Sequence, residues 1–240
     1  SAGMAVVLLK AGVTVPQLFL VTGVLNLLVA GYIFLIVPEY LLRFIAWVAT
    51  RLVYRFKVRG DEHIPAEGAA ILVCNHVSFV DAVLLMAASP RPIRFIMDHG
   101  IFRIPVMSLV FRGMKAIPVA PQREQPEVYE RAFQTAAAEL RAGHLVCIFP
   151  EGGLTADGEL REFRAGMLRI LRDTPVTVIP MALSGLWGSM FSRAHKDVWR
   201  RLPRRLFARI DLRVGAPIAP GDVELADLQA RVLALRGARQ

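Results

Sequence analysis

His76 and Asp81 stand five residues apart in Asn75-His76-Val77-Ser78-Phe79-Val80-Asp81, between an apolar run at 69–74 and a helix-like run at 82–88. The pattern predicts a strand, a tight turn and a helix start, with Ser78 as N-cap and Asp81 at the third helical position. Residues five apart in a regular helix point about 140° apart, so the two can meet only if His76 lies in the turn and folds back toward the carboxylate. An imidazole held that way at one nitrogen presents the other as a general base, the orienting logic of a Ser-His-Asp triad without its serine. The nucleophile must then be a hydroxyl of the substrate. The plainer alternative is that Asp81 only caps the helix and His76 only fills the turn.

A second apolar strand, Leu145-Val146-Cys147-Ile148-Phe149, runs into Pro150-Glu151-Gly152-Gly153. Two strands that each end in a polar, Asn- or Gly-containing turn suit an α/β site at the C-terminal ends of its strands. Cys74 and Cys147 sit near the ends of apolar strands and read as buried thiols of a reducing compartment. Cys74 lies two residues before His76, which raises a covalent acyl-enzyme. The competing reading is a small apolar residue at a strand end. No Gly-x-Ser-x-Gly elbow supplies a serine, and His63, His76, His99, His144 and His195 lack metal-ligand spacing, so no metal is expected.

With these motifs the sequence resembles the glycerolipid (PlsC-like) acyltransferases. Asn75-His76-x-Ser78-x-x-Asp81 is similar to that family's NHxSxxD block, and Phe149-Pro150-Glu151-Gly152 to its FPEG block, which lies near the acceptor's phosphate. Val178-Ile179-Pro180-Met181 stands where the family has its fourth, apolar block. The second block departs from the family: Lys115-Ala116-Ile117-Pro118-Val119-Ala120-Pro121 leaves Arg123 two residues late. That departure, with Gly185-Leu186-Trp187-Gly188-Ser189-Met190-Phe191-Ser192-Arg193, resembles the 2-acylglycerophosphoethanolamine branch.

The resemblance covers residues 55–215 and implies transfer of a fatty acyl group to the free hydroxyl of a lysophospholipid. The donor is an acyl carrier protein or coenzyme A thioester, a co-substrate, and no bound cofactor is expected. Lysophosphatidylethanolamine is the first acceptor to consider. The alternative is 1-acylglycerol 3-phosphate, which would yield phosphatidic acid. His76 and Asp81 take the catalytic roles; Asn75, Ser78, Lys115, Arg123, Glu151, Gly152 and Arg164 are the expected substrate-binding residues. Phe163-Arg164-Ala165-Gly166 resembles a family element that follows FPEG. Backbone N–H groups around Asn75–Ser78 and Gly152–Gly153 are the candidate oxyanion donors. Glu151 would bind glycerol hydroxyls, hold a cation, or serve as a loop carboxylate paired with an arginine. A hydrolase that passes the acyl group to water and a non-enzymatic membrane scaffold or transporter tail are the rival classes.

The chain has 240 residues, 55% of them hydrophobic, and a net charge of +9. An apolar yet basic chain points to membrane phospholipid, whose anionic headgroups attract Lys and Arg. Nucleic acid is not an expected partner, because no binding motif accompanies the charge. Leu18–Val37 are twenty uncharged residues, the length that crosses a hydrocarbon core of about 30 Å. A buried helix is the alternative reading, with Gly23, Asn26 and Gly31 in favour of it. Pro38-Glu39 opens a second helix over Tyr40–Phe56. Arg43, Arg51, Arg55, Lys57 and Arg59 follow the apolar run, so the catalytic domain is expected at a bacterial inner membrane, facing the cytoplasm. Lys196, Arg200, Arg201, Arg204, Arg205 and Arg209 form a basic segment, either a solvated face or a patch for anionic lipid, acyl carrier protein or coenzyme A.

The predicted strands are 56–60, 69–74, 93–97, 116–119, 145–149, 176–183 and 207–214. Helices are predicted at 81–88, 104–112, 126–141, 160–172 and 223–235. Such alternation implies an α/β domain with a mostly parallel sheet flanked by helices. The expected organisation is N-terminal membrane-embedded helices over 1–56 and an acyltransferase domain over 57–240.

Overall fold

A computed structural model describes residues 12, 14–36, 38–78, 80–188 and 207–237. Its contacts separate two units, Ser1–Leu41 and Leu42–Gln240. The first holds α1 (Val15–Ile36), whose 22 residues rise about 33 Å at 1.5 Å per residue. Phe19 is 72% and Leu27 74% exposed. Among the described residues α1 is the helix long and apolar enough to cross a membrane. α2 (Pro38–Val53) starts on a proline with Glu39 in its first turn and Arg51 in its last, as the helix dipole favours. It buries Ala46 and Thr50 and exposes Phe44, Trp47 and Leu52, with the Arg51 guanidinium 5.1 Å from the Trp47 ring centre. It stops at Val53, short of the expected Phe56, because Tyr54 opens the first strand and pairs with Ala208.

Among the described residues the second unit is built on seven strands: β1 (Tyr54–Arg59), β2 (Ala70–Cys74), β3 (Ile93–Asp98), β4 (Ile117–Val119), β5 (Leu145–Ile148), β6 (Thr177–Ser184) and β7 (Ala208–Val214). Their order is β1-β7-β6-β2-β5-β3-β4. Every neighbouring pair is parallel except β6 and β7, so β1 and β7 run against the other five. All five residues of β2 are buried, the mark of a strand covered on both faces. Side chains alternate across it. Ala70, Leu72 and Cys74 join a core with α2, α3 (Asp81–Ala88) and α4 (Pro105–Gly113). Ile71 and Val73 join a second core with α5 (Pro126–Arg141), α6 (Gly166–Asp173) and α7 (Leu225–Arg236).

This topology places the site. From β2 the chain crosses by α3 to β3, outward on one side; from β5 it crosses by α6 to β6, on the other. The adjacent strands β2 and β5 therefore send their connections to opposite faces and opposite directions. A crevice opens between their C-terminal ends, the switch point where ligands bind in open α/β sheets.

Two local expectations change. The N-cap of α3 is Val80, not Ser78, and Asp81 is the first helical residue. α6 begins at Gly166 instead of Leu160, since the amides of Arg161, Phe163 and Arg164 donate to Glu151, to Gln229 of α7 and to Pro150 instead of to carbonyls of their own turn. Lys196, Arg200, Arg201, Arg204 and Arg205, and the stretch Ser189–Arg193, lie outside the described residues.

Candidate active site

β2 ends at Cys74, and the turn after it is set by three side chains. Asn75 is 1% exposed; its Nδ2 donates to Leu183 O at 3.0 Å and its Oδ1 accepts from Leu183 N at 2.8 Å. Its amide thus reads the backbone of β6 and fixes the exit of β2. Asp81, 0% exposed, accepts at one oxygen, Oδ2, from Val77 N at 2.7 Å, Ser78 N at 2.9 Å and His76 Nδ1 at 2.9 Å. The carboxylate caps the turn that precedes its own helix and orients the imidazole in the same act. Its Oδ1 is buried with no hydrogen-bond partner among the described residues.

Glu151 supplies the third clamp. Its Oε1 accepts from His76 N at 2.7 Å and its Oε2 from Arg161 N at 3.0 Å, and Thr155 N donates to His76 O at 3.0 Å. Burial pushes the Glu151 carboxyl above the usual carboxylate range, while the two backbone N–H donors pull it down. The His76 ring stacks on Phe149, with centres 4.2 Å apart and planes 18° from parallel. Pinned at Nδ1, stacked on one face and 22% exposed, the imidazole turns Nε2 outward. That is the geometry of a general base.

His76 lines a cavity of about 550 Å³ at the switch point. Its apolar wall includes Ile96, Val119, Tyr129, Phe133 and Phe149; its rim carries Arg123, Arg164, Gly152 and Gly153, with Asp98 and Glu124 also present. Arg123 and Arg164 are exposed at that rim, and neither is paired with a carboxylate among the described residues. Gly152 adopts φ +69°, and a Cβ there would sit 2.6 Å from Arg164 Cζ, so the guanidinium lies directly over this glycine. An apolar chamber with a base inside and guanidiniums at its mouth suits a molecule with an acyl chain, a hydroxyl and an anionic headgroup.

The sequence-predicted set divides accordingly. His76, Asp81, Arg123, Gly152 and Arg164 come together. Asn75 and Ser78 are both buried and hold backbone: Ser78 Oγ accepts from Val80 N at 3.4 Å. Lys115 is exposed at φ 51° in the turn before β4 and is not on the cavity wall. The expected oxyanion donors are largely spent, since the amides of His76, Val77 and Ser78 bond to Glu151 or Asp81, and Gly152 N donates to Phe149 O at 3.1 Å. Gly153, at the cavity rim, is not among the amides so bonded in the described residues. Burial first, then Cys147 and Asp81, pushes the Cys74 thiol up, and at 0% exposure it stays protonated in the core; a covalent route through it has no support. Residues that sequence reasoning did not single out are Phe149 as the stacking partner of His76 and the α5 aromatics Tyr129 and Phe133 on the chamber wall.

The Acyltransferase family model matches residues 55–184, the span from β1 to the end of β6. A chloroplastic 1-acyl-sn-glycerol-3-phosphate acyltransferase of Arabidopsis thaliana is 31% identical over 133 residues, 55% of this chain and 36% of that protein. The 1-acyl-sn-glycerol-3-phosphate acyltransferase of Borreliella burgdorferi is 28% identical over 126 residues, 52% of this chain and 50% of its own. The matched stretch thus spans half or less of these curated relatives. The crystal structure of the 1-acyl-sn-glycerophosphate acyltransferase PlsC from Thermotoga maritima superposes with a TM-score of 0.63 over 81% of this chain and 74% of that one, at 24% identity, a likeness of fold. The chain belongs to the acyltransferase family, in its PlsC-like glycerolipid group.

Proposed function

We propose that the protein transfers a fatty acyl group from a thioester to the free hydroxyl of 1-acylglycerol 3-phosphate, producing phosphatidic acid. The observation that carries this reading is the His76–Asp81 pair, 2.9 Å apart, on the wall of a chamber whose rim holds Arg123 and Arg164. His76 Nε2 takes the hydroxyl proton as the oxygen attacks the thioester carbonyl, and Asp81 stabilises the imidazolium. Collapse of the tetrahedral intermediate breaks the C–S bond, and the imidazolium returns its proton to the departing thiolate. Two guanidiniums match a phosphomonoester, which carries up to two negative charges, better than the zwitterionic ethanolamine headgroup that the sequence placed first. The names of the relatives favour the same acceptor. Acyl carrier protein and coenzyme A are both donors of the required chemistry. The exposed apolar α1 and the basic residues after it are consistent with a membrane-bound enzyme whose catalytic domain faces the cytoplasm.

The test is acyl transfer by the purified full chain in lipid vesicles, with acyl-carrier-protein and coenzyme A thioesters against 1-acylglycerol 3-phosphate, lysophosphatidylethanolamine and water. Phosphatidic acid formation that disappears in a folded His76→Ala variant supports the proposal. Preference for lysophosphatidylethanolamine would return the headgroup to the first expectation. Free fatty acid without acylated product would make the protein a hydrolase.

A further inference from the structure

The loop that carries Arg164 is fastened from beyond the residues that the family model matches. α7 is anchored in the second core by Leu228 and Val232, both 0% exposed. From its last turn Arg236, 7% exposed, donates through Nη1 to Gly158 O and through Nη2 to Glu159 Oε2, each at 2.9 Å. From its first half Gln229 accepts at Oε1 from Phe163 N at 3.0 Å. The two contacts bracket the segment that ends in Arg164, whose own N donates to Pro150 O at 2.9 Å. A guanidinium taken almost wholly out of water to hold a loop carbonyl is a costly way to end a helix unless the loop's position matters.

We propose that Arg236 and Gln229 are positioning residues: α7 sets where the Arg164 guanidinium stands over Gly152, and thereby the affinity for the acceptor's phosphate. The inference rests on the proposed function for the identity of the phosphate, while the fastening itself does not. Neither residue touches the cavity. Their effect must therefore pass through the loop, into acceptor binding more than into proton transfer at His76.

The experiment uses the full chain in detergent micelles with Arg236→Ala, Arg236→Lys and Gln229→Ala. Two readouts are taken: kinetics with 1-acylglycerol 3-phosphate, and the rate at which trypsin cuts after Arg161 and Arg164, followed by mass spectrometry below the unfolding transition. Arg236→Ala is expected to raise the acceptor KM about tenfold with kcat within about threefold, and Gln229→Ala about fivefold. Arg236→Lys should recover part of the loss, and trypsin cleavage in the loop should quicken in the same rank order. Unchanged cleavage overturns the fastening. Faster cleavage with unchanged KM, or kcat loss that follows the unfolding temperature and is not recovered by lysine, overturns the positioning role. If the parent acylates no acceptor, the proposed function fails, and the cleavage rates still decide whether α7 holds the loop.

Discussion

Replacing Asp81 by Asn removes a charge while keeping shape. The amide oxygen can occupy the Oδ2 position and still accept from Val77 N and Ser78 N, so the turn and its burial survive. What is lost is the attraction between a carboxylate and the imidazolium that forms as His76 takes the hydroxyl proton. With the Nδ1–Oδ2 contact at 2.9 Å the charge centres lie roughly 4 Å apart, and at an effective dielectric near 20 this is about 4 kcal/mol. At 1.36 kcal/mol per decade, kcat should fall by about 10³, inside the 10²–10⁴ range expected for general-base catalysis. The assay is steady-state transfer from an acyl thioester, with thermal unfolding of the same preparation. Because the pair acts as one unit, His76→Ala combined with Asp81→Asn should be no slower than His76→Ala alone. An Asp81→Asn protein that keeps more than about a third of the parental kcat, or whose loss tracks unfolding, would refute the imidazolium argument.

Gly152→Ala forces a left-handed residue to carry a Cβ where the Arg164 guanidinium lies; stability should drop by about 1 kcal/mol and the acceptor KM should rise, seen by comparing denaturant midpoints and kinetics. Arg94 is 2% exposed and its Nε donates to Glu139 Oε2 at 2.9 Å, so Arg94→Ala should cost about 3 kcal/mol in urea unfolding, while Met at both positions should recover most of it. Burial raises the thiols of Cys74 and Cys147 and lifts the Tyr54 phenol to about 12. Groups whose folded pKa lies above the unfolded one stabilise fully below the unfolded value, about 8.5 for Cys and about 10 for Tyr, and lose that contribution as pH rises through the folded value. The urea midpoint should therefore decline progressively above pH 8.5, and native Cys74 and Cys147 should resist a thiol reagent at pH 8 until the chain unfolds.

The inner strands were legible because their apolar runs are short and bounded by turns, and β1 and β7 because apolar and charged residues alternate along them; each of the seven appears close to its expected limits. The His76–Asp81 pairing was legible because a turn and a first helical residue are neighbours in both sequence and space. The rest depended on partners with no local signal. Nothing near Asn75 indicates that its amide bonds Leu183, so it read as a ligand instead of a strap. Leu160–Ala165 looked like the start of a helix, yet its amides serve Glu151, Gln229 and Pro150. Glu151, an odd neighbour for a phosphate, was left to glycerol hydroxyls, a cation or an arginine; in the fold both oxygens are committed to backbone N–H groups of two separate turns. Tyr129 and Phe133 lie in the predicted helix 126–141 with no local mark of a site, and only the position of α5 across the crevice makes them a chamber wall.

The strap between Asn75 and Leu183 joins residues 108 apart, and it bears on how the protein comes to life on the ribosome. The turn bearing the base is synthesised early, but both partners of its amide reside in β6. Long-range closure of this kind is slow to form and rewards the chain late. We expect a nascent chain released or stalled before β6 to bind no acceptor and to turn over no thioester, with activity arriving in one step once β6 has entered the sheet. The chain would then stay chemically silent through most of its synthesis.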